Sequence, residues 1–159
     1  MTLLVREATP ADAALIAELT RNCWADKIAP SSSGHHEASQ RVTDDLQNGG
    51  GFILLRAGLP VGSIRWLPLA GDASVREILR MGVLPDYRGE RLSQHLMHAA
   101  IQHAQAAKVK ELRLAVRVDQ PQLLAMYTSF RFAPAPDLKY SHANPAEPAP
   151  VVMRRRLQN

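Results

Sequence analysis

Arg88 and Gly89 stand at the turn of this chain where residue types and spacing point most clearly to chemistry. An apolar strand over 78–83 runs into Pro85, then Asp86-Tyr87-Arg88-Gly89, and then directly into an amphipathic helix. A chain that leaves a strand and enters a helix within a few residues presents the helix's unsatisfied N–H groups as an anion site. Arg88 adds a fixed positive charge, and Gly89 lets a ligand approach the backbone closely. The guest such a loop fits is a phosphate or pyrophosphate. The histidines carry less. His35 and His36 are adjacent and point in different directions on a helix, which makes them a poor metal pair. His95, His98 and His103 follow along a long helix, the first two on one face, with no cysteine or acidic partner nearby. The single cysteine, Cys23, forms no internal disulfide and no cysteine cluster, and reads as a small apolar residue of the first helix. No metal is expected.

These residues need elements to hold them, and the chain spells out an alternation. A strand over 3–8 meets Thr9-Pro10-Ala11-Asp12, a helix start with a cap, a proline at the first position and an acid in the first turn. Ala14, Leu15, Leu19 and Trp24 give that helix its apolar stripe. Residues 29–34 are a loop, 35–47 a polar-faced helix, and Gly49-Gly50-Gly51 stops it. Strands over 52–56 and 61–67 flank a hairpin turn at 57–60, and a strand over 75–83 follows the turn at 71–73. A helix over 89–107 places Leu92, Leu96, Ile101 and Ala104 at helical spacing. A strand over 111–118, a helix over 121–129 and two strands, near Lys139 and over 151–157, complete the chain. The order is that of an α/β fold with a mixed sheet in one domain spanning 1–159.

The strand end Met81-Gly82-Val83-Leu84-Pro85 and the loop Arg88-Gly89-Glu90-Arg91-Leu92-Ser93 resemble the acyl-CoA signature of the GNAT-type N-acetyltransferases. In that family an apolar-x-Val-x-Pro strand end leads to Arg/Gln-x-x-Gly-x-Gly/Ala at a helix start. Arg91 stands where glycine is usual, and Ser93 where glycine or alanine is usual. A second segment, from Asp119 to Phe132, is similar to the family's Asn-Pro-x-Ala-x-x-x-Tyr-x-x-x-Gly-Phe element. Pro121, Tyr127 and Phe132 are in register, whereas Gln120, Leu123 and Arg131 replace Asn, Ala and Gly. Two partial motifs in the right order are more specific than either alone.

The resemblance implies a fold: a mixed central sheet, mostly antiparallel and splayed, flanked by about four helices. It also implies direct transfer of an acetyl group from acetyl-CoA to an amine. Backbone groups of Met81, Gly82 and Val83 would pair with the pantetheine arm, and amides from Arg88 through Gly89, Glu90, Arg91 and Leu92 to Ser93 would hold the pyrophosphate. Gln120 would meet the pantetheine in the asparagine position. Tyr127, protonated at neutral pH, would be the general acid for the leaving thiolate. Glu77 lies where carboxylates serve some relatives as base; its structural alternative is an exposed or salt-bridged residue beside Arg76 or Arg113. The acceptor pocket is expected around 24–36 and 138–150, with Trp24, Asp26, Glu37, Tyr140 and His142 as its mixed set of side chains. That set fits a small-molecule or peptide amine and does not single one out.

Composition adds exclusions. The net charge is +4, but only Arg154-Arg155-Arg156 clusters, and aromatic residues are 5% of the chain. A nucleic-acid binder would show a basic stripe or interleaved aromatics, so that class is set aside. No apolar run reaches the ~18 residues of a membrane span, and no signal-peptide pattern is seen, so a cytoplasmic location is expected. The remaining rival is a non-catalytic acyl-CoA binding or sensing domain on the same fold. Pairing of C-terminal strands between two copies would give a homodimer.

Overall fold

A computed structural model describes residues 2–24 and 37–157; Asp26, the expected loop over 29–34, His35 and His36 lie outside them. Strand β1 (Leu3–Glu7) ends at a short 3-10 turn, Pro10–Asp12. The Asp12 carboxylate accepts the Thr9 amide at 2.9 Å and both arms of the Arg6 guanidinium at 2.8 and 3.0 Å, fixing the start of helix α1 (Ala13–Trp24). Ile16, Ala17, Leu19 and Cys23 are buried along α1, so the cysteine is the packed apolar residue its sequence context implies. Helix α2 (Ser39–Asn48) ends at Gly49, where a Cβ would lie 1.9 Å from the Trp66 carbonyl. The glycines do more than stop a helix here: they bring the backbone against β3, and β2 begins at Gly50 rather than Phe52.

Strands β2 (Gly50–Arg56), β3 (Leu59–Leu69) and β4 (Asp72–Ile78) form a meander that continues β1. A two-residue strand β5 (Gly82–Val83) returns to β3. Helix α3 (Ser93–Ala106) then crosses to β6 (Glu111–Val116), which pairs with β4 in parallel. Helix α4 (Gln122–Ser129), the short strand β7 (Ala133–Pro134) and β8 (Val151–Arg156) follow. The sheet runs β1-β2-β3-β4-β6-β8-β7, with every neighbour antiparallel except β4 and β6. Alternation along β2 sends Ile53 to a core with α1 and α2 on one face and Leu54 to the larger core with α3 on the other. Among the described residues, four helices lie on a splayed, mostly antiparallel sheet, the fold the two motifs imply.

Three expectations change. The strand over 75–83 is broken at Leu79-Arg80-Met81: both halves pair with β3, but in registers one residue apart, and only the first also pairs with β6. The helix begins at Ser93, not Gly89: Gly89 (φ 88°) and Arg91 (φ 58°) are left-handed, a backbone no helix accommodates. No strand forms near Lys139. The Ser141 amide goes to a side chain, and the prolines at 136, 145, 148 and 150 lack the N–H a ladder requires. Met153 and Arg154 of β8 are already covered by β7, so part of the edge expected to pair with a second copy is in use.

Candidate active site

The break in the fourth strand makes the site. β4 pairs with β6 from Val75 to Glu77 and then leaves it, whereas Gly82 and Val83 stay on β3. The sheet parts beyond Ile78, and the gap opens into a cleft of about 690 Å³. The Leu84 amide donates to the Val61 carbonyl at 2.8 Å, and Gly82 lies opposite Ser63. Alternation along this antiparallel ladder turns the backbone groups of Met81 and Val83 toward the gap. The Met81 groups and the Val83 N–H offer an extended ligand the edge that β6 leaves unfilled. Gly82 itself admits no side chain: a Cβ would come within 2.9 Å of the Trp24 ring and 3.2 Å of the Cys23 Cβ.

One wall is the turn into α3. No side chain caps this helix, and the amides of Arg91, Leu92 and Ser93 have no protein acceptor among the described residues. The left-handed Arg91 followed by the helical Leu92 (φ −68°, ψ −28°) gathers successive N–H groups into an anion-binding concavity. Arg88 does something the sequence does not announce. Its Nε donates to the Val83 carbonyl at 3.1 Å and a terminal nitrogen donates to the Cys23 carbonyl, so it ties the loop to β5 and to the last turn of α1. Met81, Gly82, Val83, Arg88, Gly89, Arg91, Leu92, Ser93 and Gln120 all line the cleft. Glu90 does not; it pairs with Arg56 at 3.1 Å at the surface.

Tyr127 enters from α4, 9% exposed, its hydroxyl without a hydrogen-bond partner among the described residues. Burial pushes its phenol up to about 12. Glu77 is neither exposed nor bridged to Arg76 or Arg113, although Arg113 faces it in register. Arg113 pairs with Glu111 at 2.6 Å, and Arg76 reaches His103 Nδ1 at 2.9 Å. Glu77 is 1% exposed, behind the cleft wall; one carboxylate oxygen accepts the Ser141 amide at 3.0 Å and the other lies 3.5 Å from His142 Nε2. Tyr140 donates its hydroxyl to the Ile78 carbonyl at 2.6 Å, which brings the segment over 138–150 across the gap. His98 packs edge-on against Phe130, ring centroids 5.5 Å apart, and stands apart from the cleft.

Several cleft residues carry no motif. Arg80 pairs with the buried Glu37 at 3.4 Å, and Glu37 also meets Arg65, which Asp45 holds at 2.9 Å. Arg117, at the end of β6, pairs with Asp119 at 3.0 Å and with Glu147 of the C-terminal segment. Apart from Arg117–Asp119, these pairs are distant in sequence and leave no local pattern to read.

The profile of the Acetyltransferase (GNAT) family matches residues 16–132, both motif segments included. This chain belongs to the GNAT acetyltransferase family. Membership makes it an acyl-CoA-dependent N-acetyltransferase. No curated protein matches it in sequence. Solved structures share its fold at low identity. A probable acetyltransferase from Staphylococcus epidermidis superposes with a TM-score of 0.80 at 12% identity, over 99% of this chain and 100% of that one. The PaiA N-acetyltransferase of Thermoplasma acidophilum, solved with coenzyme A, gives 0.78 at 15%, over 99% and 100%. The ribosomal-protein-S18-alanine N-acetyltransferase of Escherichia coli gives 0.75 at 15%, over 98% and 94%.

Against the GNAT pattern, the two missing glycines acquire a physical meaning. Arg91 (φ 58°) and Arg131 (φ 68°) both adopt the left-handed backbone that glycine enters freely. At both places this chain puts an arginine on a backbone that suits glycine.

Proposed function

We propose that the cleft binds acetyl-CoA and that the enzyme acetylates a primary amine by direct transfer, as a single domain. The observation that carries this reading is the continuity of two binding features. Inward-facing backbone at Met81 and Val83 leads to the uncapped, left-handed turn before α3. An extended amide-bearing arm suits the first, and a pyrophosphate the second. Arg88 and Arg91 supply positive charge, and Gln120, which also lines the cleft, would meet the arm in the asparagine position.

Acetyl-CoA would supply an activated thioester. The chain's residues then have three tasks. Val83 N–H polarises the acetyl carbonyl, which becomes more negative as the amine attacks. Tyr127 keeps its proton at every physiological pH and gives it to the departing thiolate. A base frees the amine lone pair before attack. A non-catalytic sensor needs no proton donor, so a buried phenol with no hydrogen-bond partner among the described residues supports turnover over binding alone.

The test is a thermal unfolding scan with acetyl-CoA, CoA and ATP. A ligand held only by the folded protein stabilises it by about 2.7 kcal/mol at a hundredfold excess over its Kd. A shift with acetyl-CoA and CoA, and little with ATP, is expected. No shift at millimolar acetyl-CoA would refute the reading.

A further inference from the structure

Glu77 has the right chemistry for a base and the wrong address. Its carboxylate is buried, it forms no part of the cleft wall, and one oxygen is committed to the Ser141 amide. The other, Oε1, accepts no hydrogen bond among the described residues, and a buried carboxylate oxygen without a donor is costly. The group placed to answer it is His142, whose Nε2 lies 3.5 Å away and whose ring does line the cleft.

We propose that His142 takes the proton from the acceptor's ammonium group and that Glu77 is the positioning residue behind it. This rests on the acetyl-transfer reading above. With Nε2–H directed at Glu77, the lone pair falls on Nδ1, the nitrogen free to act as base. No described residue bonds Nδ1. The ring is held in place by its neighbours: Tyr140 meets it edge-on at a centroid distance of 5.7 Å and is itself pinned to the Ile78 carbonyl. That contact fixes His142 beside the last residue of β4, where the sheet begins to part.

The charges around the ring come from β4, the segment just after it, and α2. Glu77 from β4 and Asp45 from α2 favour the imidazolium; Arg41 from α2 and Arg80, just past β4, oppose it. Burial outweighs them and holds the ring below the usual histidine range, so it is neutral and able to accept a proton at neutral pH.

The step balances without a further reactant. An ammonium group loses one proton to His142 Nδ1, and the freed nitrogen forms a C–N bond to the acetyl carbon. The C–S bond breaks, Tyr127 protonates the sulfur, and the second nitrogen proton replaces the one Tyr127 gave. His142 returns its proton to solvent, so one proton is released per acetamide formed.

The experiment combines turnover and NMR on the full-length protein, using acetyl-CoA with a panel of primary amines. His142→Gln should lower kcat on the order of 100-fold with the KM for acetyl-CoA unchanged. It should also abolish the acid limb of the wild-type kcat profile, which lies below pH 6.5. Glu77→Gln keeps an acceptor oxygen at the same place. It should lower kcat less and move the acid limb to lower pH, because the carboxylate no longer favours the imidazolium. Nitrogen-15 shifts should show His142 protonated on Nε2 in wild type. Wild-type kcat and acid limb in His142→Gln, or an Nδ1–H tautomer, would overturn the proposal. Acetyl-CoA binding without acetylation of any amine would instead sink the transferase reading and the base role with it, while the tautomer still reports on the Glu77 contact.

Discussion

Replacing Arg131 with glycine should make the protein more stable, although it deletes a whole side chain. Helix α4 ends in a Schellman motif: the Phe132 amide donates to the Tyr127 carbonyl at 3.2 Å and the Arg131 amide to the Thr128 carbonyl at 2.9 Å. Arg131 occupies the left-handed position, φ 68°. For an L-residue that backbone costs roughly 1–2 kcal/mol. Glycine removes the cost but adds unfolded-state freedom worth about 0.4–1 kcal/mol. The difference leaves glycine ahead by roughly 0.5–1 kcal/mol, or about 1–4 °C in Tm for a chain of this size. The Arg131 side chain is exposed and makes no hydrogen bond or ion pair among the described residues; its charge opposes that of Arg155. Arg131→Ala serves as control, since it removes the same charge and retains the strained backbone. Calorimetric unfolding of the ligand-free proteins should place Arg131→Gly above both wild type and Arg131→Ala. A glycine variant no more stable than the alanine variant would refute the backbone argument.

Arg91→Gly should raise the ligand-free Tm for the same reason but weaken acetyl-CoA binding by roughly 0.5–1 kcal/mol, the worth of one exposed cation, as read by calorimetric titration. Asp45→Ala strips a partner from Arg65, which is fully buried, and should cost about 3–5 kcal/mol in urea unfolding. The Arg6 guanidinium, with the Thr9 amide, holds the Asp12 carboxyl down to about 2. Because this pKa is depressed in the folded state, the stabilisation is complete above pH 4 and lost as pH falls toward 2. It amounts to about 1 kcal/mol, given the exposure of Arg6. Asp12→Asn should flatten that part of the stability–pH curve.

The order of elements and the position of the cleft were legible in the sequence because they rest on local signals: alternation, a Pro-bearing strand end, a glycine turn before an apolar helix. What escaped depends on distant partners. The run over 75–83 carries no turn or breaker before Gly82, and nothing in it says that β6 pairs with Glu77 but not with Gly82, while β3 pairs with both. Arg88 reads as a phosphate ligand by type, yet two of its bonds go to carbonyls from residues 23 and 83. Glu77 reads as a strand carboxylate; only the fold reveals that the C-terminal segment brings Ser141 and His142 to it. The expected strand at Lys139 fails for the same reason, since Tyr140 and Ser141 bond across the gap instead of along a ladder.

Acetyl transfer by Tyr127 within this cleft is tested most directly by following acetyl-CoA consumption and acetamide formation together, in wild type and in Tyr127→Phe. Wild type should release one CoA thiol per acetylated amine. The phenylalanine variant should lose kcat on the order of 100-fold or more while its acetyl-CoA-induced Tm shift is unchanged. Equal turnover in the two proteins would contradict the assignment of Tyr127 as the acid, and no amine-dependent thiol release from wild type would contradict the account as a whole.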